Sequence, residues 1–216
     1  MQLSDNGKYL CELLSFAAGV RAPEDAEKII KTFVSPADVA STSSEIVQTL
    51  SGCSEQTADF LSLVAAISSR RVTDDYKPGR KYSTAEIKKY VCALLFHLNV
   101  ESVYMISFDR SGKFIGSDLI TEGTVNTSAF LPRKIVDIAL RRKAASVVLA
   151  HNHPSGNPLP SENDVTVTLM AESVLRDAHV KLNAHYINVG FSIYDCLEDA
   201  KIMSKQAENV AKIDPT

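Results

Sequence analysis

Apolar positions in the first seventy residues recur at helical spacing. Tyr9, Leu10, Leu13, Leu14 and Phe16 form one stripe, Ala26 to Phe33 a second, Ile46 to Leu50 a third and Ala58 to Ile67 a fourth. The fourth closes on Arg70 and Arg71, cations that suit a helix C-terminus. Ser35-Pro36 and Ser51-Gly52 punctuate the stripes. The polar stretch Thr73 to Arg80, with Pro78 beside Gly79, predicts a linker at 73–82 between a helical domain at 1–72 and a second domain at 83–216. Beyond it the pattern is mixed. Ser83 followed by Glu86 is a capping-box signature and predicts a helix to His97. Val103 to Phe108 and Phe114 to Ile120 read as strands joined by the turn Asp109-Arg110-Ser111-Gly112. Pro132 opens a helix to about Arg142. Ser146 to Ala150 reads as a short buried strand, Ser161 to about Ala178 as a helix, Val180 to Val189 as a strand and Asp195 to Val210 as a polar closing helix. The fold class predicted is α/β: a small all-helical N-terminal region, then a unit of sheet and helices.

Composition narrows this picture. A chain of 216 residues, 45% hydrophobic and 23% charged, folds as an ordinary globular protein. It is too short for a complete TIM barrel of about 250 residues. The longest apolar run, Val91 to Phe96, is far below the roughly 20 residues of a membrane span. Met1-Gln2-Leu3-Ser4-Asp5 has neither the basic start nor the apolar core of a signal peptide, so the expectation is a cytoplasmic protein without a membrane partner. The net charge of −3 gives no global argument for nucleic-acid binding. Cys11, Cys53, Cys92 and Cys196 lie far apart; they read as free, largely buried thiols, and their spacing excludes a zinc ribbon.

One segment carries chemistry: Ala150-His151-Asn152-His153-Pro154-Ser155-Gly156-Asn157-Pro158-Leu159-Pro160-Ser161-Glu162-Asn163-Asp164. His151 and His153 stand at i and i+2 at a strand end, so both imidazoles point to one side. Asp164 lies in the first turn of the following helix. Two imidazoles and one carboxylate leave a tetrahedral position open, the pattern of a catalytic zinc site. The bland alternative makes Ser161 an N-cap, Asp164 a first-turn acid, and the histidines loop residues satisfied by backbone groups. A cupin would set its H-x-H among many short strands, and an amidohydrolase on a barrel too long for this chain.

In its spacing the segment resembles the JAMM (MPN+) motif, H-x-H-x7-S-x2-D, at His151, His153, Ser161 and Asp164. The wording His151-Asn152-His153-Pro154-Ser155-Gly156 is similar to the bacterial RadC family in particular. So are the flanks Glu101…Phe108-Asp109, Glu122-Gly123-Thr124, Pro132-Arg133 and Ala139-Leu140. The resemblance is strong over about residues 83 to 190. It implies a cytidine-deaminase-like α/β sandwich of the JAMM/MPN+ type, holding one zinc ion per chain on His151, His153 and Asp164. It also implies that Ser161 holds or polarises the activated water and the developing oxyanion. Glu101 would be the general base that passes a proton to the leaving amine. The implied function is hydrolysis of a peptide or isopeptide-like amide in an unidentified peptide or protein substrate. The alternatives are a DNA-associated repair or scaffold protein on a metal-binding fold, and a metal-dependent nuclease.

Two departures from the family pattern stand out. Its usual Asp-His-x-Ile-Val reads Ala184-His185-Tyr186-Ile187-Asn188 here, which removes a carboxylate and leaves His185 as a candidate partner of the metal ligands. The N-terminal helices resemble the family's helix-hairpin-helix, which cradles DNA phosphates on a Gly-x-Gly hairpin. Here the hairpin reads Gly52-Cys53-Ser54-Glu55; Ser54 lacks glycine's freedom and Glu55 adds an anion, which argues against DNA binding. The basic clusters Arg70-Arg71, Arg80-Lys81, Lys88-Lys89 and Arg141-Arg142-Lys143 read as solvated helix faces.

Overall fold

The computed structural model describes residues 5–123 and 130–202. Its helices are α1 (Asp5–Ala18), α2 (Ala22–Thr32), α3 (Pro36–Ala40), α4 (Ser44–Ser51), α5 (Glu55–Asp74), α6 (Thr84–Leu95), α7 (Phe130–Arg141) and α8 (Glu162–Asp177). Its strands are β1 (Ser102–Phe108), β2 (Phe114–Glu122), β3 (Ser146–Asn152), β4 (Lys181–Val189) and β5 (Ser192–Asp195). Among the described residues no helix is long and apolar enough to cross a membrane.

The first five helices surround a core of Leu14, Ala22, Ala26, Ile29, Val47, Ala58 and Leu61. Each helical stripe of the sequence supplies part of it, but only by its inward row. Leu14 is fully buried, while Tyr9 and Phe16 of the same stripe are 72% and 85% exposed. Ser43 and Ser54 cap α4 and α5, and Gly52 between them takes the left-handed conformation (φ 69°) that ends α4. The α4–α5 hairpin is locked by a buried carboxylate from α2. Asp25 accepts hydrogen bonds from the Ser54 hydroxyl at 2.6 Å, the Ser54 N–H at 3.3 Å and the Thr57 hydroxyl at 2.6 Å. Burial pushes its carboxyl upward, but the Ser54 and Thr57 donors outweigh that and hold it below the usual carboxylate range. This stabilisation is complete above the unfolded pKa of about 3.9 and is lost as the pH falls through the lowered folded value. Asp25→Ala strands three donors around a buried hole. It is expected to cost about 2–4 kcal/mol, a drop of roughly 5–15 °C in the thermal midpoint. An unchanged midpoint by calorimetry would show that the lock contributes nothing.

The polar stretch after α5 is fastened to the sheet. Tyr76 packs on Tyr82 and Tyr90, its hydroxyl donates to the Glu86 carbonyl at 2.7 Å, and the Gly79 N–H donates to the Phe114 carbonyl at 2.8 Å. Ser83 and Glu86 form the reciprocal capping box read from the sequence.

The second part is a mixed five-stranded sheet in the order β2-β1-β3-β4-β5. β3 and β4 run parallel, with α8 as the crossover; the other pairs are antiparallel. Helix α6 covers one face through Ile87, Tyr90 and Val91 against Ile106, Val148 and Ala150. Helices α7 and α8 cover the other through Ile135, Ala139, Ala171 and Leu175 against Met105, Val147 and Leu149. This is the α/β sandwich expected.

Some boundaries differ from the pattern reading. β3 continues two residues past Ala150, because His151 still pairs with β1 and β4 and Asn152 with β4. Helix α7 begins at Phe130, two residues before Pro132. Residues 192–195 form the edge strand β5, so the closing helix expected from Asp195 starts one residue later, at Cys196. Four residues after a Gly190 turn are too few to show an alternation, and pairing with β4 decides their state. Residues 196–202 are helical; the rest of the predicted closing helix, and residues 124–129 of the loop before α7, lie outside the described residues.

Candidate metal centre

Strand register gathers one set of side chains on the face covered by α7 and α8. Val103 pairs with His151, Thr121 with Val103, and His185 with Leu149, and directly paired residues share a face. For β4 this depends on a bulge. Leu182 pairs with Val147 and Ala184 with Val148, so Asn183 is skipped and the parity of the strand flips. The bulge turns His185 toward His151 and sends Ala184 into the α6 face, among Val91, Val148 and Tyr186. The missing family carboxylate at 184 therefore belongs to the opposite side of the sheet from the histidines.

Glu101, His151, His153 and Asp164 each offer one ligand atom, and these four atoms all lie within 4.8 Å of one another. His151 is 2% exposed and Asp164 7%, whereas Glu101 at the start of β1 is open to solvent. The Nε2 atoms of His151 and His153 are 2.8 Å apart. Asp164 Oδ1 lies 3.3 Å from His151 Nε2, and Asp164 Oδ2 lies 3.4 Å from His153 Nε2. Two ligand atoms at about 2.0 Å from one tetrahedral ion are about 3.3 Å apart, the spacing of Asp164 from each imidazole; the two imidazole nitrogens stand closer, at 2.8 Å.

The surrounding hydrogen bonds fix the protons, and so test whether the site suits a cation. Thr168 has one hydroxyl hydrogen and gives it to the Asp164 backbone carbonyl at 2.5 Å. Its oxygen then accepts from His185 Nδ1–H at 2.6 Å. That leaves His185 Nε2 to accept from His151 Nδ1–H at 3.0 Å. His153 Nδ1–H donates to the Asn157 carbonyl at 2.7 Å. Both Nε2 atoms thus carry lone pairs that face each other beside a carboxylate. Such an arrangement is repulsive unless a cation or a proton occupies the centre. The hydrogen bond to Asp164 holds the His153 pKa above the ordinary imidazole value. Burial raises the Asp164 carboxyl, but the His151, His153 and Ser161 contacts outweigh it and leave the group well below the usual range. Complete burial pushes His185 down to about 3, so it stays neutral in the relay.

Ser161 caps α8. Its hydroxyl donates to Asp164 Oδ2 at 2.6 Å, its N–H donates to the same oxygen at 2.7 Å, and its Oγ accepts from the Asp164 N–H at 3.1 Å. The hydroxyl hydrogen is thereby committed to aiming the carboxylate, so the capping and site readings of this serine describe one geometry. Asn152, between the two histidines, points to the far side. It accepts from the Ser102 N–H at 2.8 Å and donates to the Leu98 carbonyl at 2.8 Å. It pins the segment that carries Glu101.

His185, Thr168 and Asn152 complete what the motif begins. Thr168 went unnoticed in the sequence, although its signal was there: a polar residue at Asp164+4, on the inward face of α8. His185→Leu removes the acceptor that holds the His151 ring. Zinc affinity, measured against a competing chelator, is expected to fall about 10–100-fold with the fold retained. An affinity equal to that of the parent chain would remove His185 from the site.

A larger hollow of about 870 Å³ separates the N-terminal helices from α6, lined by residues such as Leu10, Phe33, Leu61 and Phe96. It holds no histidine or carboxylate. The candidate metal ligands His151 and Asp164, with Glu101, line a smaller hollow of about 140 Å³.

Comparison with known proteins agrees with the geometry. Residues 82–199 match the family model of the RadC-like JAB domain. A UPF0758 protein of Herminiimonas arsenicoxydans is 32% identical over 66% of this chain and 64% of its own length. The chain thus spans just under two thirds of that relative. UPF0758 proteins of Cupriavidus pinatubonensis and a Janthinobacterium species are 28% and 29% identical, over 86% and 84% of this chain and 82% and 81% of their own lengths.

Proposed function

The chain belongs to the family of RadC-like JAB domains, and from that membership and its metal centre we propose that it is a zinc-dependent amide hydrolase. The observation that carries the reading is the proton assignment. A buried relay through His185 and Thr168, and an exposed bond from His153 to the Asn157 carbonyl, turn the Nε2 atoms of His151 and His153 toward Asp164, a donor set of two nitrogens and one oxygen. Such a set, with one position left open, is the pattern of a catalytic zinc site rather than a structural one. His151, His153 and Asp164 would hold the ion. The chemistry it supplies when bound is Lewis-acid activation of water, whose pKa falls to about 7.

The protein's own residues do the rest. Asp164 is aimed by Ser161 and buried, so its charge is little screened. His151 is held in one tautomer by His185. Glu101 is exposed beside the cluster and lies outside both networks, so its carboxylate is the group available to accept a proton and return it to the departing amine nitrogen. The zinc-loaded chain, incubated with a library of linear peptides and lysine-linked isopeptides, is expected to generate new termini by mass spectrometry, and a chelator is expected to abolish them. Zinc-loaded protein that cleaves neither class would remove the amide-hydrolase reading.

The DNA-associated reading has less support. At the α4–α5 hairpin the Asp25 carboxylate already occupies the N-terminus of α5, where a phosphate would have to sit. Arg70 pairs with Asp74, Arg141 with Asp137 and Arg142 with Asp118, which neutralises part of two of the four basic clusters. Salt-dependent binding of branched or duplex DNA at micromolar protein would favour the DNA reading instead.

A further inference from the structure

We propose that the hollow beside the metal centre is a substrate subsite for one small aliphatic side chain, of the size of valine, leucine or isoleucine, next to the scissile amide. This rests on the metallohydrolase reading. The hollow measures about 140 Å³ and opens at Glu101, His151 and Asp164. Its floor is apolar: Leu149 and Ile135 are fully buried, Val167 enters from α8, and Val103 and Leu131 flank it. The same strand register that places His151 on this face places Leu149 two residues before it and Val103 opposite it. The metal ligands and the apolar floor are therefore parts of one rigid surface.

Size and polarity select the occupant. An engineered apolar cavity of about 150 Å³ in another protein takes up benzene. This hollow also contains the place of the ion beside His151 and Asp164, and the remainder suits a side chain of about three to four carbons. An indole is too large. An anionic side chain would meet the carboxylates of Glu101 and Asp164, and both nitrogens of the buried His185 are already used within the relay. Thr121 and the exposed Asn163 also line the hollow and offer polar groups to a substrate backbone.

The test does not need the natural substrate. Three hydroxamic acids, which bind zinc through the same head group, are titrated calorimetrically into the zinc-loaded full chain: acetohydroxamic, isovalerohydroxamic and 2-naphthylacetohydroxamic acid. Each buried methylene contributes about fourfold in affinity. The isovaleryl compound is therefore expected to bind at least about tenfold tighter than the acetyl one, and the naphthyl compound more weakly than the isovaleryl. Val167→Phe fills the hollow and is expected to erase the tenfold gain while zinc and acetohydroxamate still bind. Val103→Phe serves in its place if the first variant loses zinc or its thermal midpoint. Equal affinity for the acetyl and isovaleryl compounds, or a gain that survives the filled hollow, overturns the subsite alone. A chain that takes up no zinc overturns the reading beneath it and the subsite together.

Discussion

A Glu101→Gln chain is expected to keep its zinc and lose turnover by about 10²–10⁴-fold, the range for removal of a general acid–base. Glutamine is close in shape to glutamate, so the β1 entry held by Asn152 and by the Gly123 N–H to Glu101 carbonyl bond of 2.8 Å should not move. What changes is proton affinity at one exposed group beside the cluster. The relevant comparison is kcat on any cleaved peptide, with zinc content measured on the same samples. Glu101 lies among the four candidate ligand atoms, so the experiment also separates its two uses. Zinc lost together with turnover would make it a ligand. Turnover unchanged would leave the departing amine to be protonated by some other group.

His153→Ala is expected to weaken zinc binding by at least about a hundredfold. Zinc held by four ligands is worth about 10–16 kcal/mol, so one ligand accounts for roughly 3 kcal/mol or more. Its effect on the metal-free fold should be smaller. Without metal the hydrogen bond to Asp164 makes His153 more readily protonated. Deleting the ring removes that one partly buried pair, about 1–3 kcal/mol or a drop of roughly 2–10 °C in the thermal midpoint. A variant that binds zinc as tightly as the parent would dismiss His153 as a ligand. A variant that unfolds would show that the ring serves packing instead.

The extent to which the sequence foretold this site differs from residue to residue. His151, His153, Ser161 and Asp164 lie within fourteen positions of one strand end and one helix start, and such local geometry is readable from spacing. Glu101 is fifty residues away and was found by resemblance, because only the pairing of Val103 with His151 brings it near. His185 was noticed as a histidine on a strand. Its direction hangs on the bulge at Asn183, a tertiary irregularity that no alternation reveals. The same bulge explains why Ala184, which seemed to withdraw an orienting carboxylate from the histidines, faces away from them. Thr168 acts through the His185 side chain and Asn152 through backbone some fifty residues away, and their residue types alone announce neither contact. In the fold, helices with capping boxes at Ser83 and Ser161 were legible, since the signal is local. β5 was not, since four residues hold their strand only through β4.

The central claim, a cation site built from His151, His153 and Asp164, is tested most directly by metal content. The full chain would be purified without a tag or chelator and analysed by plasma mass spectrometry after zinc is offered. The account predicts one zinc per chain. No bound metal would mean that a proton shared between the two imidazoles satisfies the cluster, and the hydrolase reading would fall with it.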